Sequence, residues 1–411
     1  MKLEKGYGAM KDRYLFQANV VNRLLEEYEK YGRLIIAVDY DNTIFDFHGN
    51  NDTYPNVMKL LRDLKPYANF IIYTCRPEKQ YDEIREYLDA HDLPYDTINE
   101  PIVKLNEDDS NGKIFYSIML CDRAGLYSAF TALKEVVNIL NERKREKENA
   151  ERTAHFKTLK DDIVQWIRDY FEKAGGKGAV IGISGGKDST VVAGLLVEAL
   201  GVDRVCGVLM PNGTQKDIQD SKRVVDILGI NSDIVNIGNA YDKLVSEMGY
   251  SIFLTDEAKI NIAPRLRMTA LYAIGQTLGY RVAGTGNACE AYVGYCTKWG
   301  DTAHDFNPIA ELTVDEVIGV GMALGLPHDL LLKAPADGLS GSTDEERLGV
   351  TYAQIAEVRE NGTCGNEEAD VNIKTKHLMS LHKFEPIPHY SKKQGEWYEE
   401  LLSKRHPLLS Q

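Results

Sequence analysis

The chain is expected to fold as two α/β domains, each a doubly wound parallel sheet of Rossmann-like layout. Three features predict this: short apolar runs that alternate with helical stretches, two such runs that end in chemistry-bearing residues, and one mixed-charge segment that interrupts the series. A length of 411 residues is also more than one ordinary core accommodates, so about two to three folded units are expected.

Residues 10 to 31 carry apolar positions at helical spacing (Tyr14, Leu15, Val20, Val21, Leu24, Leu25, Tyr28) among charged ones, which predicts an amphipathic helix. Short apolar runs at 33 to 38, 71 to 74 and 118 to 121 follow, with helical stretches between them, and read as buried parallel strands. From 142 to 160 the composition turns to closely mixed Glu, Lys and Arg without an apolar face, and the domain boundary is placed there. A helix over 162 to 173, a strand over 179 to 183, a helix over 189 to 200 and a strand over 205 to 209 begin a second series. It continues through strands at 234 to 237 and 281 to 284 and then turns mostly helical. The expected units are an N-terminal helix (1 to 32), a first domain (33 to 140), a charged helical linker (141 to 158) and a second domain (159 to 411).

With 43% hydrophobic and 27% charged residues and no apolar run of bilayer length, a membrane protein is not expected. The start, Met1-Lys2-Leu3-Glu4-Lys5, does not resemble a secretory signal, so the cytoplasm is the expected compartment. Six cysteines stand singly, without a C-x-x-C pair, which argues against a disulfide framework or a zinc finger. A net charge of −14 disfavours a nucleic-acid partner but leaves room for small anions held in a local cluster of amides and cations.

The run at 35 to 38 leads into Asp39-Tyr40-Asp41-Asn42-Thr43, two carboxylates two residues apart at a strand end, where open α/β sheets bind ligands. Asp39 could attack a phosphoryl group while Asp41 protonates the leaving oxygen; a solvated strand end is the plainer reading of the same residues.

The run at 179 to 183 leads into Ser184-Gly185-Gly186-Lys187-Asp188-Ser189 and at once into an apolar helix. Two glycines, Gly182 just upstream, and a helix start let backbone amides approach an anion, and Ser184 and Ser189 add hydroxyls. Asp188 repels phosphate but suits a bridging Mg²⁺. A tight strand-to-helix turn is the alternative for a bare glycine pair. The spacing fits neither the Walker loop nor a G-x-G-x-x-G fingerprint.

The hexapeptide resembles the pyrophosphate loop of the ATP pyrophosphatase group, whose fold is the adenine nucleotide alpha hydrolase-like one. Three further segments are similar to the ammonia-dependent NAD synthetases. These are Asn261 to Met268 with Tyr272 to Ile274; Gly284-Thr285-Gly286-Asn287 to Glu290 running into Gly294 to Asp301 and Asp305 to Pro308; and Lys333 to Leu339 with Thr343 to Tyr352 and His382-Lys383. The resemblance covers about 155 to 385 and implies condensation of ATP, deamido-NAD and ammonia to NAD, AMP and pyrophosphate through an adenylylated carboxylate, and it implies a homodimer.

By this resemblance, ATP falls to Gly182, Ser184, Gly185, Gly186, Lys187, Asp188, Ser189 and Thr285, and Mg²⁺ to Asp188 and Glu290. Deamido-NAD falls to Arg265, Lys298, Asp305, His382 and Lys383, and the reacting centre to Asp301 and Lys333. Two cations suit a substrate with a pyrophosphate and a carboxylate; Asp301 could accept a proton from ammonium while Lys333 steadies the transferred phosphoryl. Free ammonia is the expected nitrogen donor, because the roughly 150 upstream residues do not resemble a nitrilase-like glutaminase.

Those upstream residues, over 33 to 130, are instead similar to the haloacid dehalogenase-like (HAD-like) hydrolases. That resemblance implies a Mg²⁺-dependent phosphatase of unread substrate in which Asp39, Asp41, Thr74, Lys113 and Asp122 act, with Asp39, Asp41 and Asp122 at the metal. Two departures stand out: Asn42 replaces a usual glycine, and Cys121 replaces the first of two acids.

Overall fold

The computed structural model describes residues 16–103, 114–214, 218–249, 253–333 and 343–388. Lys113 lies outside them. The chain divides into two compact units, 1–150 and 151–411, and each contains one four-stranded parallel sheet.

In the first unit the strands are β1 (Leu34–Asp39), β2 (Ala68–Tyr73), β3 (Thr97–Ile98) and β4 (Ile118–Leu120), in spatial order β3-β2-β1-β4. β1 lies between β2 and β4 and is buried along nearly its whole length in a core shared with helix residues such as Leu24, Leu61 and Leu133, which is why it reads as an uninterrupted apolar run. The amphipathic helix is Gln17–Tyr31, ending at Gly32 in the left-handed region; it buries Val21, Leu24 and Leu25, and residues 10 to 15 lie outside the described part. β3, with only two residues, is too short to leave a periodic signal in the sequence.

The second unit repeats the plan with β5 (Ala179–Gly182), β6 (Val205–Leu209), β7 (Asn231–Ile234) and β8 (Arg281–Val282), in the order β7-β6-β5-β8. β7 departs from expectation: it begins at polar Asn231 and ends at Ile234, where the apolar run was expected to start a strand. It is an edge strand whose residues are all exposed, so hydrophobicity does not mark it. The apolar residues after it still extend the ladder, since the Val235 and Ile237 amides donate to Leu209 O and Pro211 O at 2.8 and 2.9 Å.

The linker expected at 141 to 158 is not a separate element. One helix, Leu126–Ala174, runs through it, and the division between units falls inside that helix at 150/151. Its sequence has no Gly or Pro, and Glu, Lys, Arg and Ala are strong helix formers, so charge alone does not interrupt it. No described helix is long and apolar enough to cross a membrane. All six cysteines are free thiols.

Both sheets have the same consequence for ligand binding. The chain winds outward from β1 through β2 to β3, then crosses to the other side for β4; β5 to β8 do likewise. The loops after β1 and β4, or after β5 and β8, therefore diverge and open a crevice at the carboxyl ends of the strands.

Candidate active site

In the second unit that crevice is a cavity of about 620 Å³. One wall is the loop after β5. Gly185 sits there at φ +80°, where a Cβ would lie 2.9 Å from the Ser221 amide nitrogen, so this corner requires glycine. The Ser184 and Ser189 hydroxyls are 3.0 Å apart, and the Gly186 amide donates to Ser184 Oγ at 3.2 Å, which fixes the loop. Helix Lys187–Leu200 starts at once, with its amino end directed to the cavity that Ser184, Gly186, Lys187 and Asp188 line.

The loop after β8 forms the facing wall through Gly284 and Thr285. Fully buried Asn287 then caps the short helix Ala288–Val293. Its side-chain oxygen accepts from the Cys289 and Glu290 amides at 3.0 and 3.1 Å, and the Glu290 carboxylate accepts from the Asn287 amide at 3.1 Å. The remaining arm of the same side chain, Nδ2, donates to Asp188 Oδ1 at 3.2 Å. One asparagine thus brings together two carboxylates that are 102 residues apart in sequence (290 − 188). An N-x-x-E capping pattern before an apolar stretch was the signal in the sequence that could have marked Asn287.

Electrostatics follow from this crowding. Burial and then the neighbouring Asp188 push the Glu290 carboxyl up to about 8. Lys187 is buried beside them with Nζ 3.0 Å from Asp188 Oδ2 and 5.5 Å from the centre of the Tyr352 ring. Burial would lower the Lys187 ammonium, but Asp188 and Glu290 outweigh it and hold the group raised.

Further along the cavity wall stand Asp301, Lys333 and Lys383. Lys333 Nζ is 2.6 Å from Asp220 Oδ2, a partner not anticipated from sequence. Asp301 is open to the cavity on one side, and its Oδ1 accepts from the Thr297 amide at 2.8 Å. Desolvation by the surrounding protein raises its carboxyl, with the Thr297 amide opposing. Arg267, also missed as a site residue although it lies within the Asn261-to-Met268 segment, lines the same cavity and donates from Nε to Met210 O at 3.1 Å.

The residues expected at deamido-NAD are not all gathered there. Lys383 lines the cavity, donating to Gly294 O and Cys296 O at 2.7 and 2.8 Å. Arg265, Lys298 and His382 form an exposed chain beside it: Arg265 Nε donates to Lys298 O, and Lys298 Nζ to His382 O. Asp305 is engaged structurally. Its Oδ2 accepts from the β8 amide of Val282 at 2.8 Å and its Oδ1 from the Tyr272 hydroxyl at 3.2 Å, and it does not line the cavity.

In the first unit, Asp39 ends β1 and Cys121 and Asp122 follow β4, so the three meet across the switch point. Cys121 Sγ is 3.4 Å from Asp39 Oδ2 and 3.8 Å from Asp122 Oδ1, and one ligand atom from each residue lies within 4.8 Å of the others. Thr43, fully buried, accepts from the Asp122 amide at 3.0 Å and fixes that corner. Asn42 adopts φ 56°, the left-handed conformation that a glycine usually serves and asparagine tolerates, so this departure leaves the turn intact.

The Asp41 carboxylate is held elsewhere. Arg76 donates to its Oδ1 from Nε and Nη2 at 3.1 and 2.7 Å, and the Thr74 hydroxyl stands 3.4 Å from Oδ2. The guanidinium lies over the rings of Tyr40 and Phe45, 5.0 and 4.5 Å from their centres. Asp41 is therefore not in the donor group formed by Asp39, Cys121 and Asp122. Nor does that group fit Mg²⁺, which takes oxygen ligands in a near-octahedral shell and has little affinity for sulfur.

Comparison with known proteins adds the following. The model of the NAD synthase family matches residues 159–395. The NH(3)-dependent NAD(+) synthetase of Pyrococcus horikoshii is 40% identical over 199 residues, covering 48% of this chain and 77% of that protein. Its counterpart from Methanococcoides burtonii is 39% identical over 218 residues, 52% of this chain and 83% of that protein. Among solved structures, NMN synthetase from Francisella tularensis superposes with a TM-score of 0.54 at 35% identity, covering 57% of this chain and 98% of that one. Because the family match takes in more than half of the chain and includes the glycine-rich loop, Asn287 and Glu290, Asp301 and Lys333, the chain belongs to the NAD synthase family.

Proposed function

We propose that the second unit is an ammonia-dependent NAD synthetase. The observation that carries this reading is the convergence of the loop at 184–189, the Asp188 and Glu290 carboxylates joined through Asn287, and the groups Asp301 and Lys333 on one cavity.

In the proposed reaction an oxygen of the deamido-NAD carboxylate attacks the α-phosphorus of ATP, and pyrophosphate leaves. Ammonia then attacks the carbonyl carbon of the mixed anhydride; the C–N bond forms and the C–O bond to AMP breaks. The loop amides and the start of helix Lys187–Leu200 hold the departing pyrophosphate, and Lys333 offsets charge that builds on the α-phosphoryl. Asp301, whose carboxyl is raised by burial, accepts a proton from ammonium. Asp188 and Glu290 are hard oxygen donors on the cavity wall and fit Mg²⁺, which when bound neutralises the triphosphate and makes pyrophosphate a better leaving group. Bound metal would also displace the proton that Glu290 otherwise retains.

Thr285 faces the ATP side of this arrangement, and Lys383, Arg265, Lys298 and His382 supply cations and donors for the dinucleotide. Because three of those four lie on an exposed rim, a homodimer in which a second copy covers that rim is part of the proposal. The likeness to an NMN synthetase favours one second reading, amidation of the corresponding mononucleotide, since the reacting carboxylate is the same.

The test is incubation of the full chain with ATP, Mg²⁺, ammonium and either substrate. NAD and AMP in equal amounts from the dinucleotide support the proposal; a much higher kcat/KM with the mononucleotide selects the second reading. AMP release without any amidated product overturns both.

For the first unit we infer phosphoryl chemistry at Asp39, supported by its place at the strand end and by the Thr74 hydroxyl on the neighbouring strand end. Asp41 could serve as acid only after leaving Arg76. A screen of nucleoside monophosphates and other phosphate esters tests this, and no hydrolysis of any of them would dismiss it.

A further inference from the structure

We infer that Asp39, Cys121 and Asp122 form a site for a thiophilic divalent cation of the zinc class, in place of the magnesium site that the sequence resemblance implies. The inference is independent of the amidation reading, which concerns the other unit.

The donor set carries it. A cation bound by sulfur at about 2.3 Å and by oxygen at about 2.1 Å in a tetrahedral shell sets neighbouring S and O atoms about 3.6 Å apart. Cys121 Sγ stands 3.4 Å from Asp39 Oδ2 and 3.8 Å from Asp122 Oδ1, on either side of that value. The three residues come from the ends of two paired strands, β1 and β4, so the sheet holds the donors in register before any cation arrives. Thr43 anchors the Asp122 amide, and Asp122 itself is exposed, which leaves an entry path and a fourth position for water or a phosphate oxygen.

Two hard oxygens without the sulfur would favour Mg²⁺ or Ca²⁺; the sulfur inverts the preference, because thiolate selects zinc-like ions and Mg²⁺ gives up water reluctantly. On binding, the Cys121 thiol loses its proton to solvent, and the thiolate with two carboxylates becomes the coordinating set. Arg76 does not compete, because its guanidinium is engaged with Asp41.

The full chain, stripped with a chelator, would be titrated with Co²⁺ and followed by its near-ultraviolet thiolate-to-cobalt charge-transfer band. One equivalent per chain is expected to give the band, Zn²⁺ to abolish it, and Mg²⁺ to leave it intact even at roughly hundredfold excess. Cys121→Ser should lose the band, whereas Cys75→Ser, at an exposed thiol of the same unit, should keep it. Cys121→Asp provides the check should the serine variant misfold: it should bind Mg²⁺ at least about tenfold more tightly than the parent by calorimetry. Absence of the band, its survival in Cys121→Ser, or displacement by equimolar Mg²⁺ would overturn the proposal.

Discussion

The two units place polar clusters at the same point of the same four-stranded topology, yet the clusters differ in chemistry. At the β5/β8 crevice, hard carboxylates, a glycine loop and a helix start face a large cavity, and a buried lysine sits among the acids. At the β1/β4 crevice, a thiol stands between two carboxylates, and the nearby cation is stacked on aromatic rings and committed to Asp41. A shared strand order therefore decides where a ligand goes, while a handful of side chains decide which one.

The comparison is most easily broken at Asp188. Asp188→Ala is expected to lower kcat/KM for amidation about 10³-fold without altering the first unit, because in the proposed reaction the triphosphate would lose a metal carboxylate. Activity near that of the parent would remove the chemical distinction between the two crevices. Lys333→Ala should cost roughly 10²-fold in kcat with little change in KM for ATP, the mark of a group that acts as charge develops. Steady-state kinetics with ATP varied at saturating ammonium decide this.

A smaller effect, confined to the other unit, is expected from Arg76→Ala. Loss of the part-buried pair with Asp41 and of the stacking on Tyr40 and Phe45 should destabilise the first unit by about 1–3 kcal/mol, measured by denaturant unfolding, while amidation continues. An equal fall in amidation would show that the two sites are coupled.

A further effect, read in stability rather than in turnover, is a pH dependence in the metal-free protein. The folded chain keeps a proton on Glu290 up to about 8, whereas the unfolded chain releases it near 4.5. Between those values the folded state binds more protons, so stability falls as pH rises through the window. Thermal melts at pH 5 and pH 8 should show this slope, and Glu290→Gln should flatten it; a slope unchanged in that variant would place the proton elsewhere. Added Mg²⁺ should remove it as well.

Much of this was legible in the sequence where a residue type has few physical uses. Ser184 to Ser189 could be read as a strand-to-helix loop because adjacent glycines are followed by an immediate helix start, and Asp39 as a strand end because it closes an uninterrupted apolar run. β7 could not be read, since an exposed edge strand has no apolar period. The tie of Asp305 to β8 could not be read for a related reason: a carboxylate that holds a strand looks the same in sequence as one that meets a substrate.

The order of apolar runs and turn residues by itself determined that there are two parallel sheets and which loops follow the buried strands β1 and β5, because these depend on local periodicity and backbone freedom. Only the tertiary structure decided that Asn287 joins Asp188 to Glu290, that Arg76 claims Asp41, and that Cys121 stands between Asp39 and Asp122. Those are contacts between distant segments, and their distances are set by how strands pack and caps close, which no local pattern encodes.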